Sequence, residues 1–91
     1  METNLETILN NVMNKEGVKG VLLADQNGLC LASKGIAPPS ASGFISSIAN
    51  RAQDLMLTQE NDAPAISVSI ESQEHTIIVR KENEMTLAIY K

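Results

Sequence analysis

Aromatic residues are almost missing from this chain: Phe44 and Tyr90 are the only two, and tryptophan is absent. Its core must therefore be built from Ile, Leu, Val, Ala and Met, and single-stranded nucleic acid would find little to stack on. Cations are also few, seven Lys and Arg against eleven Asp and Glu for a formal net charge of −4. Phosphate recognition rests on clustered cations that release counterions, which excludes nucleic acid as a partner class. The single cysteine, Cys30, has no partner for an internal disulfide. No apolar run nears the roughly 20 residues that span a bilayer. No basic-plus-apolar leader opens the chain, and Glu2 stands where N-myristoylation requires glycine. A reducing, cytoplasmic location is expected, with any visit to a membrane carried by something else.

What is present suffices for one small domain, residues 1–91, with 43% hydrophobic and 20% charged residues. The strongest local pattern lies near the N-terminus. Two apolar runs, Val21-Leu22-Leu23-Ala24 and Leu29-Cys30-Leu31-Ala32, flank Asp25-Gln26-Asn27-Gly28. An Asn-Gly pair tolerates the positive φ of a tight turn, so this stretch predicts a β-hairpin. Before it, Thr3-Asn4-Leu5-Glu6 fits a capping box. Leu5, Ile8, Leu9, Val12 and Met13 then follow at helical spacing, which predicts a first helix over 4–15 that ends at Gly17.

Beyond the hairpin, Pro38-Pro39 breaks regular structure and Ser40 or Ser42 can cap a second helix. Its apolar residues, among them Ala41, Phe44, Ile45, Ile48, Ala49, Ala52, Leu55 and Met56, form a stripe wider than one sheet face requires. Part of that stripe is available to another surface. An acidic loop with Glu60 and Asp62 ends at Pro64. Ile66, Val68 and Ile70 then alternate with Ser67, Ser69 and Glu71, the period of a strand with one buried and one wet face. Strands four (76–80) and five (85–90) follow after the turns 71–74 and 81–84. The order is α-β-β-α-β-β-β: an α+β fold with a five-stranded antiparallel sheet and two helices packed on it, expected on one face. The third strand, serine-rich on its outer face, is a candidate free edge.

No residue cluster points to catalysis, a cofactor or a metal. Cys30 sits in an apolar run without a neighbouring base, as a packed small hydrophobe does. His75, the sole histidine, reads as a solvated turn residue. Asp25 is placed to accept backbone amides of the turn rather than to act as a base. Glu60 and Asp62 read as a solvated connector. The glycines match neither G-x-x-x-x-G-K-[ST] nor G-x-G-x-x-G.

With Gly17-Val18-Lys19-Gly20-Val21 ahead of the hairpin and Gly28-Leu29-Cys30-Leu31-Ala32-Ser33-Lys34-Gly35 behind its turn, the chain resembles the roadblock/LC7 family. Ser42-Gly43-Phe44-Ile45-Ser46 leading to Ala52-Gln53-Asp54-Leu55 makes it look like the Ragulator branch of that family rather than the dynein light-chain branch. The resemblance implies a non-enzymatic scaffold subunit that forms a heterodimer with another roadblock-fold subunit. It places the interface on helix two at Phe44, Ser47, Ile48, Arg51 and Leu55, and on strand three at Ile66, Ser67, Val68, Ser69 and Ile70. It further implies a lipidated, belt-like subunit at the lysosomal or late endosomal surface and Rag GTPases reached through the complex in amino-acid signalling to TORC1. The alternative is a homodimeric roadblock-type adaptor that regulates dynein or a small GTPase.

Overall fold

A computed structural model describes residues 3–57, 66–82 and 84–91. The elements are α1 (Thr3–Met13), β1 (Gly20–Ala24), β2 (Cys30–Gly35), a 3₁₀ turn (Pro39–Ala41), α2 (Ser42–Leu57), β3 (Ser67–Glu71), β4 (Thr76–Glu82) and β5 (Met85–Tyr90). All five strands form one antiparallel sheet in the order β2-β1-β5-β4-β3. The element order and the five-stranded antiparallel sheet are as the sequence predicts. The acidic loop at Glu60 and Asp62, and the capping side chain of Thr3, lie outside what is described.

The helices do not share a face. Leu9 of α1 packs with Val21, Leu23 and Leu87, whereas Ile45 and Ala49 of α2 pack with Leu22, Ala24, Val79 and Ala88. Val21 and Leu23 point to one side of β1, Leu22 and Ala24 to the other, so the sheet is sandwiched between α1 and α2. All five residues of β1 are buried. An uninterrupted apolar run such as Val21-Leu22-Leu23-Ala24 demands cover on both faces, and that is why the one-sided arrangement fails. Ile8 also departs from its expected place. It is exposed on α1 while Leu9 is fully buried, so the core stripe of that helix is Leu5, Leu9, Val12 and Met13.

The hairpin turn closes as expected. Gly28 takes φ +89°, its amide donates to the Asp25 carbonyl at 3.0 Å, and Asp25 Oδ1 accepts from the amides of Asn27 and Leu29, each at 2.9 Å. The pairing then shifts register: Leu23 lies opposite Ala32, but Ala24 lies opposite Cys30, which leaves Leu31 as a bulge residue. A one-residue insertion reverses the alternation of side chains. Cys30 therefore packs against the α2 core, while Ala32 joins the α1 core and Lys34 reaches Glu6 at 3.4 Å.

Two contacts fix α2 on the sheet. Ser42 Oγ donates to the Gly28 carbonyl at 2.8 Å, which ties the start of the helix to the hairpin turn. Lys81 Nζ donates to Asn50 Oδ1 at 2.6 Å, which ties its middle to β4. The latter depends on β4 running through Lys81 and Glu82, opposite Thr86 and Met85, where the sequence suggested a turn.

Gly35 ends β2 at φ +68°, and a Cβ there would overlap the Lys19 carbonyl oxygen. Gly35→Ala should therefore destabilise the chain by at least about 1–2 kcal/mol in urea unfolding, the cost of a left-handed L-residue before the overlap is counted. Tyr90 is buried, and loss of hydration raises its phenol above the ordinary value. The folded state then holds this proton more tightly than the unfolded state. Its contribution is intact below about pH 10 and is lost as pH rises through the raised value. Urea melts across the alkaline range should show stability falling above that point, with a smaller fall in Tyr90→Phe.

Candidate functional site

Helix α2 has more apolar surface than the sheet can use. Its inner side is spent on Ile45 and Ala49, both buried against the strands. Phe44, Ile48, Arg51 and Leu55 follow at steps of four, three and four residues, which sets them along a single line on the outer side. Phe44 is 75% exposed and Leu55 65% exposed; Ile48 is half-buried, and Ser47 and Arg51 are exposed beside them. Two large apolar side chains standing in water on one short helix is the informative anomaly here, because full burial of each is worth about 1.5–3 kcal/mol.

The same helix end meets the free edge of the sheet. Among the described residues strand β3 pairs with β4 alone, so its other side is an edge of the described sheet. A groove of about 300 Å³ runs between them, lined by Ala52, Leu55 and Met56 of α2 and by Ile66, Ser67 and Val68. Helix two and strand three, taken as partners from the sequence, are thus adjacent. The expected buried face of β3 is only partly buried: Ile66 precedes the strand and is half-buried, as is Val68, while Ser67, Ser69 and Ile70 are exposed. Ala52 and Met56 complete the groove but were absent from the sequence-derived set; their place in the apolar stripe was the available signal.

On its other flank α2 borders an open polar hollow of about 270 Å³, where Ser47, Asn50, Arg51 and Asp54 face the hairpin turn at Asn27 and Gly28. The remaining candidates fall elsewhere. Asp25 is occupied by the turn amides. Cys30 is half-buried against the α2 core. His75, which the sequence reads as solvated, is half-buried with Nδ1 shielded from water, and the Ser72 hydroxyl closes the turn on its backbone amide and carbonyl. Among the described residues, no three His, Cys, Asp or Glu side chains gather as a metal site would require.

Comparison with known proteins places this architecture. A family model described as Ragulator complex protein LAMTOR5 matches residues 1–91. The Ragulator complex protein LAMTOR5 homolog of Nematostella vectensis is 35% identical over 91 residues, covering 100% of this chain and 97% of that relative. Ragulator complex protein LAMTOR5 of Xenopus laevis is 33% identical with the same coverage. Among solved structures, the roadblock/LC7 domain from Streptomyces avermitilis superposes with a TM-score of 0.77 at 15% identity, over 92% of this chain and 74% of that one. MglB of Myxococcus xanthus superposes with a TM-score of 0.78 at 15% identity, over 97% and 75%. The structural matches establish the fold, and the full-length sequence matches establish the subunit type, a scaffold rather than an enzyme. With its outer helix face and free strand edge carried on a roadblock/LC7 fold, this chain belongs to the Ragulator complex protein LAMTOR5 family.

Proposed function

We propose that the chain works as a scaffold subunit that pairs with another roadblock-fold subunit through α2 and β3. On this reading the interface comprises Phe44, Ser47, Ile48, Arg51 and Leu55 of the helix, with Ile66, Ser67, Val68, Ser69 and Ile70 at the edge strand. The observation that carries it is the pair of exposed apolar anchors, Phe44 and Leu55, beside a strand with no second neighbour among the described residues. A partner helix laid along the outer line of α2 would desolvate both anchors, and a partner strand along β3 would satisfy its free amides and carbonyls. Backbone pairing gives affinity and a defined register, and the helix face gives selectivity.

Family membership supports the next level. In a Ragulator-type assembly the pair would be held by a lipidated, belt-like subunit on the lysosomal or late endosomal surface, where it helps anchor Rag GTPases for amino-acid signalling to TORC1. No described helix is long and apolar enough to cross a membrane, so on this reading attachment comes from the belt-like subunit.

Phe44→Glu tests the interface directly. With Phe44 standing mostly in water, the isolated variant should keep its circular dichroism spectrum and unfold within about 0.5 kcal/mol of the native chain. Affinity purification from cells followed by mass spectrometry should then recover roadblock-fold partners with the native chain and lose them with the variant. Ile45→Glu, at a buried position one residue along, should unfold the chain. Retention of the partners by a folded Phe44→Glu variant would sink the proposal.

A further inference from the structure

We infer that Arg51 makes the α2 face select a partner chain presenting a carboxylate opposite it, and select against a second copy of this chain. The inference rests on the reading of α2 and β3 as the interface. Arg51 occupies the outer line between the anchors Phe44 and Leu55, so any helix that covers both anchors also covers the guanidinium. It is exposed in the free chain, and among the described residues the only ion pair is Lys34 with Glu6. Asp54, three residues on, lies on the polar flank of α2 and is not within ion-pair distance of it. A partner that seats the anchors must therefore desolvate an unpaired cation or neutralise it.

Among the described residues, a second copy has no acid placed to neutralise it. Two identical chains meet about a two-fold axis, and with that axis perpendicular to α2 the outer line lies against itself in opposite directions. The midpoint between Phe44 and Leu55 falls between Ala49 and Asn50. Phe44 then meets Leu55 of the second copy, and Arg51 lands beside its Ile48 and Ser47. With a rise of 1.5 Å per residue, the two Arg51 Cα atoms sit about 4.5 Å apart along the helix axes, within one turn of each other. Each Asp54 lies further from the axis, on the far side of its own Arg51. Such a pair buries two like charges together with no described acid between them, an arrangement penalised by both repulsion and lost hydration. A chain with Glu or Asp at the facing position turns the same contact into a charge-assisted, bidentate pair, and the planar guanidinium fixes its geometry. The apolar anchors supply attraction to either occupant; Arg51 supplies the difference between them.

The test uses the whole chain as its own scaffold, followed by sedimentation velocity. Arg51→Leu should strengthen self-association by about tenfold or more over the native chain, since the like charges are gone and the anchors remain. An equimolar mixture of the native chain with Arg51→Glu should form mixed dimers in excess of the statistical half, and that excess should shrink at high salt. Self-association unchanged in Arg51→Leu, or a mixture without excess mixed dimer, overturns the inference. Phe44→Glu placed on the Arg51→Leu background separates the two levels. If it abolishes association while the Arg51 variants behave like the native chain, the interface stands and selection by Arg51 falls. If it changes nothing, the association lies elsewhere and the α2 interface falls as well.

Discussion

Two-sided burial of β1 is the constraint from which the other placements follow. Val21 and Leu23 need cover on one face, Leu22 and Ala24 on the other, and a chain with two helices can give one to each side. Helix α1, of 11 residues, lies over β1 and β2; α2, of 16, reaches from the hairpin turn to β3. Neither layer has material to spare. Among the described residues the far side of β3 therefore stays unpaired, and Phe44 and Leu55 on the outer line of α2 stay exposed. The surfaces available for assembly are what remains once the central strand has been satisfied.

The two sheet edges are not equivalent. Strand β2 carries the bulge at Leu31, which spoils the regular spacing of donors and acceptors that an added strand would need. Strand β3 pairs in unbroken register with β4 over all five residues and keeps that regularity at its free side. The groove of α2 and β3 adjoins the regular edge, so in the proposed pairing apolar attraction and backbone pairing would act at one place. Exposed anchors at Phe44 and Leu55, wasteful in a monomer of this size, are intelligible as surface held for a partner. Binding to the folded state then adds to a stability that a small aromatic-poor core supplies only sparingly.

Local features were legible in the sequence because their causes are local. The Asp-Gln-Asn-Gly turn, the helical spacing of Leu5, Leu9 and Val12, and the alternation from Ile66 to Ile70 each name an element by its own period. The faces on which the helices lie differ from the one-sided expectation, and the signal for it is in the sequence: Val21-Leu22-Leu23-Ala24 and Leu87-Ala88-Ile89-Tyr90 are runs of consecutive apolar residues, whereas a one-sided strand alternates. Other features depend on residues far apart in the chain. The Asn50–Lys81 hydrogen bond spans 31 positions, and the charged end of β4 reads as turn until its pairing with Met85 and Thr86 is known. His75 reads as solvated because nothing in its neighbours in the chain shows that Nδ1 is shielded from water.

The hairpin, the most distinctive stretch of the sequence, acts on the candidate interface from a distance. Which side of α2 faces water depends on the roll of the helix about its axis; a roll of one residue, about 100°, would bring Phe44 toward the sheet and Ile45 out of it. The inner packing of Ile45 and Ala49 sets that roll, and the polar ties at Ser42 and Asn50 hold it. The Ser42 tie ends on the Gly28 carbonyl, whose position is set by the left-handed φ of that glycine and by Asp25 gripping the amides on either side. A turn with no chemistry of its own thus orients the helix face carrying Phe44, Arg51 and Leu55. The hairpin marks what aims the surface, while the surface itself is the face of α2 with Phe44, Ile48, Arg51 and Leu55, set by helical spacing.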